Sequence, residues 1–226
     1  MSVTRPFLAS AVALAMTLVA PVEASAQRSF EGVVTYQMNA EGQSIEAKFM
    51  SKGPRTRMEM TMPGMPGPIY ILIDQEARVS RTVMESMGMY MEIPIPDEIP
   101  TGAGGDAPQV EKVGTSDTIA GIQCENYRFK DGNQPETEAC IATGMGWFMG
   151  GMGNPMGGRG ARPAGPDWAS LAREFKDGLL PLRVRTRRGD DWSVIMVATA
   201  VVRGELSDDL FRLKPGLRKM GMPGGE

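Results

Sequence analysis

The chain contains two cysteines, Cys124 and Cys140, and no others. If they face each other across an antiparallel pair, the turn between them centres on Gly132, and the sequence places Asp131-Gly132-Asn133 there, where glycine and asparagine tolerate positive φ. Cross-strand neighbours that exchange no hydrogen bonds stand close enough for the Cα separation a disulfide needs. The spacing therefore predicts one hairpin stapled by a Cys124–Cys140 disulfide, which in the chain-entropy model contributes roughly 3 kcal/mol. Two buried free thiols are the alternative. A stapled hairpin implies antiparallel sheet and an oxidising compartment.

The amino terminus agrees with that compartment. Residues 1–26 carry one basic residue, Arg5, then an apolar run from Phe7 to Ala20, then Ala24-Ser25-Ala26. This is the layout of a secretory signal, with cleavage expected after Ala26 and a periplasmic product. The residue directly after the cleavage site is Gln27 rather than a cysteine, and no later apolar run is long enough to span a bilayer, so no membrane anchor is expected beyond transient contact with a membrane surface. Net charge is −3, and loss of Arg5 and Glu23 leaves it unchanged, which excludes a generally basic nucleic-acid binder. Residues 27–218 are the length of one domain, expected to be a monomer.

From Ser29 onward the hydrophobic period is that of strands. Phe30 to Met38, Ser44 to Met50, Arg55 to Met62, Ile69 to Asp74, Ala77 to Val83 and Met87 to Ile93 form a predicted meander, punctuated by Gly53-Pro54 and Pro63-Gly64. Residues 94–109, rich in proline and glycine, are expected as an extended linker that cannot join a central sheet. Nine glycines and four methionines in residues 144–165 suggest a mobile insertion, either disordered or an apolar flap over a groove. Asp167 resembles a helix N-cap, with Trp168, Leu171, Ala172 and Phe175 on one face and Gly178 as the stop, predicting one short amphipathic helix. Leu182 to Arg188 and Trp192 to Arg203 form a second predicted hairpin around Gly189-Asp190. Its second strand is apolar on both sides, so both faces should be covered. Arg183, Arg185 and Arg187, with neighbouring Arg188, are either a site for anionic headgroups or a solvated strand face. Residues 207–211 suggest a short turn or helix, and residues 219–226 a frayed tail.

Several of these segments resemble a known superfamily. FEGVVTYQM, GPRTRMEM, IYILIDQEARV and MYMEIPI resemble the first half of the bacterial periplasmic lipoprotein-carrier (Lol-type) proteins. GTSDTIAGIQCENYRF, FKDGLLPLRV and LSDDLFRLKPG are similar to a family of exported bacterial proteins of unknown function near that superfamily. The resemblance implies a mainly β (α+β) fold, a curved, unclosed antiparallel half-barrel wrapped around helical structure, with an apolar cavity. It implies a binding or carrier role for a lipid, an acyl chain or a lipidated protein.

Enzymatic chemistry has few footholds. The chain has no histidine, which removes histidine triads and the commonest zinc ligand. Adjacent acids such as Asp190-Asp191 and Asp208-Asp209 sit in turn or cap contexts and do not form a catalytic pair. No phosphate-binding glycine loop follows a strand and opens a helix. The expectation is a non-enzyme without a cofactor.

Methionine is the compositional anomaly, 19 in all. Met58, Met60 and Met62 alternate on one predicted strand, and Met87, Met89 and Met91 on another. These stripes are either adaptable core filling or, with Trp168 and Phe175, the lining of an apolar ligand site. A third reading makes Met145, Met149, Met152 and Met156 thioether ligands for Cu(I). An envelope interaction module with neither ligand is the remaining possibility.

Overall fold

The computed structural model describes residues 30–40, 42–61, 64, 66–95, 109–130, 135–147, 175 and 178–221. The first meander comprises β1 (Gly32–Ala40), β2 (Gln43–Lys52), β3 (Arg55–Met60), β4 (Ile69–Asp74), β5 (Val79–Met84) and β6 (Met89–Pro94). The second comprises β7 (Gln109–Ile119), β8 (Ile122–Lys130), β9 (Thr137–Thr143), the two-residue β10 (Gly146–Trp147), β11 (Gly178–Arg188) and β12 (Asp191–Arg203). A last short strand, β13 (Arg218–Lys219), follows a 3-10 turn at Asp208–Phe211. All join one sheet in the order β13-β6-β5-β4-β3-β2-β1-β12-β11-β9-β8-β7, with β10 paired to β11. The path has two ends, so the sheet is unclosed. Neighbours are antiparallel except β10 with β11 and β13 with β6.

The meanders meet where β1 pairs with β12, placing Thr35 opposite Ala200. Gly32 makes that approach possible: a Cβ there would stand 2.2 Å from the Val202 carbonyl oxygen. Alternation decides what each face carries. Val34 and Tyr36 of β1, Phe49 of β2, Met58 and Met60 of β3, Ile71 and Ile73 of β4, Leu180, Leu182 and Val184 of β11, and Met196 and Ala198 of β12 share one hydrophobic cluster. That side is the core face. Tyr36 keeps its hydroxyl satisfied there by donating to the Pro181 carbonyl at 2.8 Å. A smaller cluster of Tyr70, Leu72 and Val83 occupies the reverse face of β4 and β5, with Tyr90, Leu213 and Leu217 packed against it.

The stapled hairpin forms, with a different register from the one the cysteine spacing suggests. Cys124 and Cys140 are bonded with Cα atoms 5.3 Å apart. The β8–β9 ladder nevertheless places Asn126, not Cys124, opposite Cys140, so the bridge joins a diagonal pair. The ladder centres one residue later than the midpoint of the cysteines; residues 131–134, where the turn was expected, lie outside the described residues. The neighbouring turn is Ala120-Gly121, with φ of 49° and 78°, joining Ile119 of β7 to Ile122 of β8. Two consecutive left-handed residues match the twist of a tight hairpin.

Other expectations need correction. Met87 belongs to a 3-10 turn over Glu85–Met87, not to β6, because Gly88 turns left-handed between them. Pro94 and Gln109, the ends of the expected linker, each belong to a strand; residues 96–108 lie outside the described residues. Gly146 and Trp147 pair with β11 within the segment expected as a mobile insertion. Gly178, expected as a helix stop, opens β11. The helix itself falls outside the described residues apart from Phe175. β12 is not covered on both sides: Met196 and Ala198 are buried, whereas Val202 is 61% exposed. Lys219 lies in β13 and the Met220 amide donates to the Tyr90 carbonyl, so the ordered chain extends into the expected tail.

Candidate apolar binding face

Register carries the two methionine stripes onto one face. Pairing along β2 to β6 gives the row Phe49, Met58, Ile71, Thr82, Met91. The adjacent row runs Ala47, Met60, Ile69, Met84, Met89. A third row, Ser51, Thr56, Ile73, Ser80, Ile93, borders the first. All three stand on the core face and contain no charged side chain. Such a surface offers dispersion and desolvation to an apolar group.

Burial falls along these rows from the middle of the sheet toward β6. Met58 is 4% exposed and Met60 and Ile71 are also buried, because the second meander contributes Leu180, Leu182 and Val184 to the same cluster. No described β5 or β6 side chain joins that cluster. Met84, Met89 and Met91 are half-buried, and Ile93 is 37% exposed. Met87, beside this strip in the turn before β6, is 44% exposed. The accessible part of the apolar face is thus its β5–β6 margin.

The expected ligand-binding residues divide accordingly. Met58 and Met60 are packed interior side chains and would meet a ligand only by moving, while Met89 and Met91 stand at the accessible margin. Phe175 is buried and meets the Tyr127 ring edge-on with centroids 4.9 Å apart. Met62 and Trp168 lie outside the described residues. Of the methionines considered for Cu(I), Met145 is buried in the main cluster, and Met149, Met152 and Met156 lie outside the described residues. Sequence reasoning passed over Met84, Ile69, Ile71 and Ile93 as site residues. Carrying the alternation of β4 forward through two hairpin turns would have put them on the face of Met89 and Met91.

Beside its small apolar cluster, the reverse face carries ionic groups. Arg57 is buried there with its guanidinium 3.8 Å from the Tyr70 ring centroid, and it donates to the Leu210 carbonyl and to Glu59. Burial, reinforced by the Glu85 charge, raises the Tyr70 phenol above its ordinary range. On the second meander, Arg183 pairs with Asp117 at 2.6 Å, Arg185 with Glu138 at 2.6 Å and Arg187 with Glu136 at 3.1 Å. Arg183, Arg185 and Arg187 are therefore matched by acids from β7, from β9 and from the residue just before β9, which accounts for them without a headgroup. Asp117 is held below the usual carboxylate range by hydrogen bonds from Asn126 and then Arg183.

One large, unclosed and mostly antiparallel sheet defines a mainly β protein. The sequence matches the domain of unknown function DUF4412 over residues 30–216, and the chain belongs to that family. Among solved structures, it is similar to an uncharacterized conserved protein from Thermus thermophilus, at 12% identity and a TM-score of 0.53, with 86% of this chain and 91% of that one covered. The likeness is one of fold alone. MucB is a more distant neighbour, at 11% identity and a TM-score of 0.43, with 84% of this chain and 58% of MucB covered. No curated protein matches the sequence.

Proposed function

We propose that this is an exported, periplasmic binding or carrier protein for a hydrophobic ligand: a lipid, an acyl chain or a lipidated protein. The ligand would occupy the margin formed by Met84, Met89, Met91 and Ile93 and reach toward Met58 and Met60 by displacing their flexible side chains. The observation that carries this reading is the register, which sets two methionine stripes distant in sequence into adjacent rows on an uncharged face. Export is supported by the leader-like residues 1–26 and by the disulfide, which persists in oxidising compartments.

In this reading the sheet curls into an unclosed half-barrel with the apolar face inside. Two facts support the curl. Ile95, just after β6, and Val110 of β7 pack against the same cluster, although β6 and β7 lie near opposite ends of the strand order. The ten interstrand steps between them would span about 48 Å in a flat sheet, a distance the segment from Pro94 to Gln109 could cover only if almost fully extended, at about 50 Å.

The test is native mass spectrometry of protein exported with its own leader, comparing wild type with a Met89→Glu/Met91→Glu variant. The wild type should carry a lipid-sized mass removable by organic extraction. The variant, with near-ultraviolet circular dichroism like wild type, should carry at least tenfold less. Equal occupancy in a folded variant would rule out this lining.

A further inference from the structure

At the accessible margin of the apolar face, the pairing of β5 with β6 gathers sulfur. Met84 and Met89 are direct cross-strand partners, and Met91, opposite Thr82, is the next residue of β6 on the same face. Cβ atoms of direct partners stand about 5 Å apart, and diagonal neighbours stay within reach of long side chains. A methionine carries its sulfur two bonds beyond Cβ on rotatable bonds, so three such side chains can bring their sulfurs to one point above the strands. The turn immediately beyond the Met84–Met89 pair, Glu85–Met87, carries a fourth thioether, Met87, which is 44% exposed.

Exposure separates this set from the packed methionines. Met50, Met58, Met60, Met145 and Met196 are each at most 8% exposed and belong to the interior. Met84, Met89 and Met91 are half-buried, open to an ion yet partly shielded from water. No carboxylate shares their face. Glu92 alternates to the reverse side, where Arg81 and Lys219 engage it, and Glu85 accepts from Lys214 at 2.5 Å.

That donor set selects the ion. Hard divalent cations take oxygen ligands, whereas thioethers are soft and suit Cu(I). Neutral ligands on a partly desolvated face also favour a single positive charge, since taking charge out of water is costly. We infer that Met84, Met89 and Met91 form a thioether site for Cu(I), with Met87 as the ligand on its solvent side. This is a different sulfur set from the one around Met145. The inference does not rest on the apolar-ligand reading; it gives the same margin a second, competing ligand. Thioethers have no proton to lose, so, unlike a thiolate or imidazole site, this one should hold Cu(I) equally well between about pH 5 and pH 7.

Anaerobic titration of the mature, disulfide-bonded chain with Cu(I) in competition with a chromophoric chelator tests it, together with X-ray absorption of the loaded protein. The wild type should withdraw Cu(I) from the chelator and show a first shell of sulfur alone. Met84→Leu/Met89→Leu/Met91→Leu conserves volume and keeps the margin apolar. It should bind about a hundredfold more weakly, since even the loss of a group that only orients a metal ligand costs about 10–100-fold. The same variant should keep any lipid-sized mass the wild type carries, so copper and lipid occupancy report separately on this inference and on the proposed function. Unchanged thermal midpoints verify folding; if the triple variant unfolds, Met89→Leu alone replaces it, with an expected loss of about tenfold. No Cu(I) withdrawn by the wild type, a first shell of oxygen or nitrogen, or undiminished affinity in the folded variants overturns the inference.

Discussion

In the first meander the reverse face combines the ion pairs of Arg57 and Arg81 with an apolar cluster, Tyr70, Leu72 and Val83, against which Leu213 and Leu217 of the carboxy-terminal segment pack. In the second it carries a covalent staple and ion pairs. There the row Arg183, Cys140, Asn126 borders the disulfide with charged and amide groups, while both cysteines are buried in the main hydrophobic cluster, and Arg185 and Glu138 follow in the next row. The same sheet is thus stabilised locally by two kinds of interaction. Apolar cover needs a segment of chain laid over it. A disulfide with paired charges needs only the strands themselves, at the expense of sensitivity to reductant and acid. The difference also leaves the β5–β6 margin, distant from the staple, as the place where the candidate ligand surface is accessible.

The largest expected effect breaks the staple. The Cys124→Ser/Cys140→Ser variant should lose about 3 kcal/mol of stability, seen as a lower urea midpoint than the oxidised wild type. Coincident midpoints would mean that the second meander does not depend on the bond. Next comes the apolar cover. Leu72→Ala should lose about 2–3 kcal/mol, the low end for a buried leucine because its cluster is small. Hydrogen exchange sharpens the contrast: β4 and β5 amides should exchange faster in this variant while those of β8 and β9 keep their protection. Uniform acceleration across both meanders would show that the two halves unfold together.

The smallest effect concerns the ion pairs. Asp117 has a depressed pKa in the folded chain, so the unfolded chain takes up the proton first as pH falls. Its contribution is present above the ordinary carboxylate value of about 4 and disappears as pH drops through the lower folded value. Since Asp117 is partly exposed, that contribution is about 1 kcal/mol or less. Asp117→Asn should flatten the acid limb of the urea midpoint plotted against pH by that amount. An unchanged limb would transfer the acid sensitivity to other lowered carboxyls, Glu92 or Glu136 among them.

Strand positions were legible in the sequence because alternation and turn residues act locally. Arg55 to Met60 and Ile69 to Asp74 alternate or run apolar between glycine and proline punctuation, and each became a strand. Register was less legible. Asp131-Gly132-Asn133 indicates where a chain can reverse, but not how many residues the reversal consumes, and a shift of one position in its centre moved the cysteines from opposite to diagonal. The candidate face was half visible. Alternation grouped Met58 with Met60 and Met89 with Met91, but placing the two groups on one surface requires every intervening pairing.

The pairing of β1 with β12 has a bearing on how the molecule is made. Thr35 finds its partner in Ala200, so the first strand of the meander stays without one neighbour until nearly the whole chain is available. Contacts so far apart in sequence carry a large loop-closure entropy and slow folding. During that interval β1 exposes an unpaired edge containing Val33 and Val34, the kind of template that recruits other chains. For a protein that emerges amino terminus first, the centre of the finished sheet is among its last parts to be completed, and protection of that edge during synthesis becomes part of its folding problem.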